Sequence, residues 1–345
     1  MKLLLLDYIS YPGHQNFNKI HIEALLKSGH ELDLLGRKEQ FNNIEQHSRI
    51  KISEIPDCFF KQYPFPAISF RIKGIIALRW VKRHVHWEDY DAVIVLTYDI
   101  LSLFSFYIKQ PTYLINHNNV QQLWSRVKLY FTRNLPHNYI HIALNIDMEN
   151  RLKELLPHRS VYHVPHGICS PSSNVVRPHF FKSDSIFLFC PINRNFDSSF
   201  VTSVFESDEL IDYLSKKNLP LYVKVSLGIR CNHPLIRLVP SDINAKEYNY
   251  MVQQAAVVIL PYNNDFKYRC SGIFFECVAS NTPIVTTKLD SMAIYKQDVN
   301  MKMFSNAVEL INAIDFYLNN NRSSNNLNAF NPKLYWDIVL RSVVD

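Results

Sequence analysis

Short apolar runs alternate with amphipathic stretches along almost the whole chain, and that alternation restricts the fold to parallel sheet covered on both faces by helices. The first unit is the clearest. Leu3–Leu6 read as a buried strand and Tyr11-Pro12-Gly13-His14 as a loop, and a helix then places Phe17, Ile20, Ala24 and Leu25 on one face. Gly29 stops that helix at a left-handed position, and His30–Leu35 form the next strand. Further strands are expected at 91–96, 112–115, 139–143 and 161–164, with a helix over 147–156. Ser170-Pro171-Ser172-Ser173-Asn174 is a turn-rich link. A second series follows, with strands at 186–189, 221–225, 256–260 and 283–286 and helices near 208–216, 247–254 and 273–279. The expectation is an α/β protein of two doubly wound domains facing each other, covering 1–168 and 169–325. A last helix in 326–345, containing Trp336, is expected to pack back towards the first domain.

Composition narrows what such a chain does. Hydrophobic residues make up 47% and charged residues 20% of 345, a globular profile. No run of 18 apolar residues exists to span a membrane. The opening MKLLLLDYISYPG is interrupted by Asp7 too early for a signal peptide, and a first strand accounts for it. The six cysteines are scattered without a CxxC pair and read as buried thiols of a reducing compartment. With only 7 glycines the chain holds no GxGxxG after a strand, no phosphate loop and no GxSxG elbow. That argues against dehydrogenase, P-loop ATPase and serine-hydrolase chemistry. His137/His141 and His163/His166 have ligand-like spacing but no neighbouring carboxylates or cysteines to complete a shell, so no metal site is expected.

The most informative stretch runs from Glu247 to Thr287: a helix, the strand AVVILPY, a polar loop NNDFKYRC, then SGIFFECVASNTPIVTT. Ser271 and Gly272 fall where the second helix begins, and free N–H groups at the positive end of a helix make a natural anion site. Arg269 just before it offers a charge-assisted contact to phosphate. Glu276 lies one turn into the helix, where an ionised carboxylate accepting two hydrogen bonds suits a ribose diol.

This stretch resembles the donor-binding region of GT-B glycosyltransferases related to family 4, enzymes of bacterial polysaccharide synthesis. Leu260-Pro261-Tyr262 matches the strand ending in proline, Glu276 the second carboxylate of an E-x7-E motif, and Ala279 to Val285 the closing small-residue-Pro-hydrophobic strand. The likeness implies two Rossmann-like domains across a cleft and transfer of a sugar from a nucleotide-diphosphate donor to a glycan or lipid-linked acceptor. It implies no cofactor beyond the nucleotide sugar, which serves as co-substrate, and no divalent metal. Glu276 would bind the nucleotide ribose. Arg194, in CPINRNFD, would stand near the basic residue that meets the diphosphate; the family's lysine a few residues later is missing. His117, after the strand TYLIN, resembles the histidine that faces the donor sugar and is the candidate catalytic residue. Gly13 and His14 resemble the start of the N-terminal domain, on the acceptor or diphosphate side. One departure matters: Tyr268 stands where the first glutamate of the motif would be, which leaves donor identity and anomeric outcome open.

Each residue also has a plainer reading: Glu276 as a solvated helix residue or ion-pair partner, Arg269 and Arg194 as surface charges, and Ser271-Gly272 as a helix cap. His117 also reads as a structural histidine, Gly13-His14 as a turn, and Tyr268 as a packed aromatic pointing towards the cleft or away from it. Two rival functions use the same fold, a nucleotide-sugar epimerase and a non-catalytic partner of carbohydrate synthesis. Finally, Phe70–Trp87 combines Ile72, Ile75, Ile76 and Trp80 with five cations and reads either as a core-packed helix with a basic face or as a helix resting on anionic lipid. Net charge is +6, no nucleic-acid motif accompanies it, and a cytoplasmic protein is the expected setting, with peripheral contact at the inner face of the membrane through 70–87 as the alternative to a core-packed helix.

Overall fold

A computed structural model describes residues 1–10, 14–60, 66–181, 186–191, 196–224, 233–240, 243–320 and 323–342. Gly13, Arg194 and Cys231 lie outside the described residues. The chain divides into two compact units. Met1–Gly167 group with Tyr268–Cys270 and Phe330–Asp345, and Ile168–Lys267 group with Ser271–Ala329.

In the first unit the order is β1 (Lys2–Asp7), α1 (Gln15–Lys27), β2 (Glu31–Gly36), β3 (Ile50–Glu54), α2 (Pro66–His84) and β4 (Ala92–Val95). It continues through α3 (Ile100–Phe104), β5 (Thr112–Ile115), α4 (Asn119–Gln122), α5 (Arg126–Arg133), β6 (Tyr139–Ala143), α6 (Ile146–Leu155) and β7 (Val161–His163). The described strands form one parallel sheet in the order β3-β2-β1-β4-β5-β6-β7. Because both faces are covered, the central strands read as unbroken apolar runs: Leu3–Leu6 and Ala92–Val95 are buried throughout. Leu3 stands opposite Leu32 on one side and Ala92 on the other, so β1 is the point at which the winding reverses. Gly29, at φ +89°, ends α1 with the left-handed turn expected of it.

The second unit repeats the plan. Its elements are β8 (Leu188–Cys190), α7 (Ser198–Phe205), α8 (Asp208–Lys217), β9 (Leu221–Lys224), β10 (Ile236–Val239), α9 (Ala245–Gln254) and β11 (Val257–Leu260). Then come α10 (Gly272–Ala279), β12 (Ile284–Thr287), α11 (Asp290–Ala293), β13 (Met301–Phe304) and α12 (Ala307–Asn319). The strand order is β10-β9-β8-β11-β12-β13, all parallel, with the reversal between β8 and β11. Leu188, Val204, Phe205, Leu214, Val257, Ile259 and Phe304 belong to the core on one face of this sheet. The expected strand at 186–189 is shifted, because Ile186 is exposed and pairing begins at Leu188. The cysteines also depart from expectation: Cys190, Cys270 and Cys277 are buried, but Cys58 is exposed on a short 3-10 turn outside the sheet.

The final helix, α13 (Pro332–Arg341), packs on α1 in the first unit. Asn331 caps it by accepting from Lys333 N–H at 3.1 Å, with Pro332 in the first turn where its missing N–H costs nothing. Trp336 is fully buried there, its Nε1–H donating to His21 Nδ1 at 3.0 Å and its ring meeting Tyr113 edge-on. Gly167, at φ +80°, closes the same region. A Cβ at Gly167 would come 2.2 Å from Ile20 Cγ2.

Replacing Trp336 by Ala should therefore lower the unfolding free energy by about 3–5 kcal/mol, whereas Phe keeps most of the packing and should cost only about 1–2 kcal/mol. Chemical denaturation of both variants checks this; equal losses would show that the hydrogen bond to His21, not the burial, holds the helix.

Candidate functional site

Parallel strands in an open sheet leave their carboxyl ends, and the loops that follow them, along one edge, and ligands collect where the winding reverses. In the first unit that point lies between β1 and β4. Asp7, the last residue of β1, accepts from Ser10 N–H at 2.8 Å and from Asn18 Nδ2 at 3.1 Å. Burial pushes its carboxyl up to about 6 despite those two bonds. His14 Nδ1 lies 3.4 Å from Thr97 Oγ1, so the loop after β1 meets the loop after β4.

Three imidazoles from three loops gather there. His14 and His117 have ring centroids 4.6 Å apart, His117 and His166 5.9 Å, and Phe17 touches both His117 and His166 edge-on or tilted at 4.9 and 5.0 Å. His117 lies just beyond β5, after Asn116, which is fixed by Tyr98 OH at 2.6 Å and by its own Nδ2 on two carbonyls. Burial holds His14 at about 4, and burial reinforced by neighbouring imidazoles holds His166 at about 4 and His117 well below its ordinary value. At neutral pH these rings are neutral donors and acceptors. His21, one helical turn after Phe17, is pushed down to about 3 for the same reason. Among the described residues no three His, Cys, Asp or Glu side chains are grouped so as to hold a metal ion.

In the second unit the candidate residues converge around α10. Ser271 caps this helix, its Oγ accepting from Phe274 N–H at 3.1 Å and pairing with Tyr262 OH at the end of β11. The cap uses one of the first N–H groups, and those of Gly272 and Ile273 have no intrahelical acceptor. Gly272 is exposed, and a Cβ there would meet nothing within 4 Å, so neither crowding nor φ demands a glycine of the folded chain. Glu276, half-buried one turn on, accepts from Tyr248 OH at 3.4 Å. Its carboxyl is pushed up to about 7 by burial, which outweighs the Tyr248 bond and the positive charge of Lys224. Lys224 ends β9, with Nζ 5.4 Å from the centre of the Tyr248 ring. Tyr248 and Lys224 were missed in the sequence because they come from a different helix and strand. The one available signal was a lysine closing the apolar run Leu221–Val223.

The remaining residues fall elsewhere. Arg269 groups with the first unit, where its Nε donates to Gln121 Oε1, and so does Tyr268, held at φ 59°. A left-handed conformation is uncommon for a tyrosine and stores strain of roughly 1–2 kcal/mol. Gly13 and Arg194 were assigned to the loops after β1 and β8, both outside the described residues.

No family model matches the chain, and no curated protein matches its sequence. Solved structures do match along its full length. UDP-GlcNAc 2-epimerase from Methanocaldococcus jannaschii is similar with a TM-score of 0.59 at 13% identity, over 100% of this chain and 99% of that one. Anabaena HepE, solved in complex with UDP-glucose, gives 0.59 at 12% identity over 100% and 99%. A UDP-forming trehalose-phosphate synthase from Burkholderia xenovorans gives 0.64 at 9% identity over 100% and 98%. These likenesses show the fold: the chain is a two-domain α/β protein of the GT-B type.

The buried imidazoles make stability fall on acidification. His14, His21, His117, His141 and His166 stay neutral in the folded state below 6.5, where the unfolded chain protonates them. Each contributes stability that is present above about pH 6.5 and lost as pH falls through the folded value. Asp7 and Glu276, raised to about 6 and about 7, act the other way over part of that range. Five histidines outweigh two carboxyls, so unfolding between pH 6.5 and 4.5 should take up more than one net proton, or over about 1.4 kcal/mol per pH unit. Denaturant midpoints across this range measure it, and a flat profile would contradict the burial of the cluster.

Proposed function

We propose that the protein is a glycosyltransferase that takes a sugar from a nucleotide-diphosphate donor and passes it to a glycan or lipid-linked acceptor. The observation that carries the reading is the α10 arrangement in the second unit: an open helix N-terminus at Ser271-Gly272 with the carboxylate of Glu276 one turn behind it, flanked by Tyr248 and Lys224. Three fold relatives, a UDP-GlcNAc 2-epimerase, HepE bound to UDP-glucose and a UDP-forming synthase, support a nucleotide sugar as ligand.

In this reading the diphosphate sits on the N–H groups of Gly272 and Ile273, with Arg269 and Arg194 adding charge, and the ribose diol donates to Glu276. Oriented N–H dipoles stabilise the leaving diphosphate as the glycosidic bond to it breaks, without reorganisation during the reaction. His117 and His14 of the first unit supply neutral hydrogen-bonding groups to the sugar or acceptor, and Tyr268 is assigned to the same side. A cytoplasmic setting follows from the supply of nucleotide sugars.

Titration calorimetry with uridine, guanosine and adenosine diphosphate sugars tests the donor site. A diol needs the ionised carboxylate, so affinity for the bound donor should rise about tenfold from pH 6 to pH 8, with proton release near pH 7. Glu276→Gln should weaken binding by tenfold or more and abolish the pH dependence. Gly272→Ala should leave the melting temperature within about 1 °C, since its methyl meets open space, yet weaken donor binding by obstructing the diphosphate. Unchanged affinity in Glu276→Gln would overturn the assignment.

An epimerase of the same fold is the second reading, favoured by the full-length likeness to UDP-GlcNAc 2-epimerase and by buried, near-neutral acid–base groups at both switch points. It predicts interconversion of two nucleotide sugars with no acceptor present; transfer predicts only slow hydrolysis under those conditions. A protein that binds none of the donors would be a non-catalytic partner.

A further inference from the structure

The sequence alone places any membrane contact on residues 70–87. The structure puts the exposed apolar surface mainly on other residues of the same helical layer. α2, α3 and α5 cover one face of the first sheet, α3 packing against both of the others. On α2 it is Ala77, Leu78 and Val81 that are buried, while Ile72, 47% exposed, and Ile76 face outward. The turn before α5 leaves Trp124 67% exposed, and α5 itself presents Val127 at 59% and Tyr130 at 63%. Phe104 of α3, also exposed, stacks edge-on against Phe131 at 4.7 Å and joins the two patches.

A surface helix of a globular protein turns its apolar stripe to the core. Val127 and Tyr130, three residues apart on one side of α5, do the opposite, while Thr132 faces inward. The charged residues of α2 and α5 themselves are all cations. Arg126 and Arg133 are exposed beside the stripe, and the half-buried Lys128 feels the charge of the buried Asp99 as well as that of Arg71 of α2. From residue 100 to residue 146 the chain has no aspartate or glutamate, and from 66 to 87 it has none either. Aromatic and aliphatic side chains exposed among cations, with acids excluded, are what a negatively charged bilayer surface complements. The apolar groups enter the headgroup boundary and the cations meet lipid phosphates. Asp99, the acid whose charge reaches Lys128, is buried, and α2 and α5 themselves offer a protein partner no acid to pair with.

We propose that this face of the first unit, centred on Trp124, Val127 and Tyr130, docks on an anionic lipid bilayer. The assignment is independent of the donor site and stands whether or not the chain transfers sugars.

Sedimentation of the full chain with sucrose-loaded vesicles tests it. Binding is expected to vesicles of phosphatidylcholine with about 30 mol % phosphatidylglycerol, weak to phosphatidylcholine alone, and lost between about 50 and about 500 mM salt. The triple variant Trp124→Ser, Val127→Ser, Tyr130→Ser should bind at least about tenfold less. The pair Arg126→Glu, Lys128→Glu should do the same. All five residues are exposed except the half-buried Lys128, and unchanged circular dichroism and melting temperature confirm that each variant is folded. Reversing Lys216 and Lys217 on α8 of the second unit controls for general basicity and should change binding less than about twofold. The proposal is overturned if the wild type ignores anionic vesicles, if the serine variant binds as well as wild type, or if the α8 reversal is equally damaging. It is also overturned if sedimentation velocity shows a dimer that the serine variant breaks, since the face would then belong to a second copy.

Discussion

Every described strand in both sheets runs parallel to its neighbours, and this one constraint decides where chemistry can stand. A parallel sheet forces each connection to cross a face, so helices bury both sides and leave only the strand ends for polar loops. In each unit the winding starts at a central strand and reverses, which opens a gap beside β1 in the first and β8 in the second. His14 and Thr97 meet across the first gap. Lys224, Glu276 and the start of α10 surround the carboxyl ends of the second sheet. Neither grouping depends on a sequence motif of the usual glycine-rich kind. Both follow from topology, which explains how a chain with 7 glycines carries polar clusters at the places where such folds hold ligands.

How much of this was legible in the sequence follows the same logic. Strands buried on both faces betray themselves as apolar runs, so β1, β4, β5, β6, β9 and β11 were read within a residue or two. β3, β10 and β13 were not. All three are edge strands, and each carries charge: Lys51 and Glu54, Arg237, and Lys302. An edge strand has a neighbour on one side only and keeps charged side chains in water, which erases the pattern that identifies it. The α10 cluster shows a similar limit. Ser271, Gly272 and Glu276 are local in sequence, with the cap and the one-turn spacing visible in SGIFFE. Tyr248 and Lys224 reach them only through tertiary folding, and no spacing rule links residue 224 to residue 276. The α2 helix illustrates a third case. Its length and basic character were apparent, but the residues facing the core are Ala77, Leu78 and Val81, and the larger isoleucines at 72 and 76 face outward. Size alone points the wrong way when a second apolar surface is present.

The electrostatics of the two units are opposed in a way that bears on their proposed roles. A departing diphosphate needs positive charge or oriented dipoles close to it. The imidazole cluster of the first unit supplies neither a cation nor an aligned set of N–H groups, because burial, with repulsion from neighbouring imidazoles at His117 and His166, holds His14, His117 and His166 neutral. What neutral rings supply is direction: each nitrogen donates or accepts according to its tautomer, and packing around Phe17 restricts how the rings turn. The second unit has the helix end and the lysine, and Glu276 is poised near 7, so that accepting two hydroxyl protons in hydrogen bonds draws it into the ionised form. Under the proposed function, binding energy for a nucleotide is assigned to α10, and orientation of an uncharged hydroxyl to the histidines. A transferase that divided the work otherwise, with the anion against the imidazoles, would have to protonate groups that the fold spends stability to keep neutral.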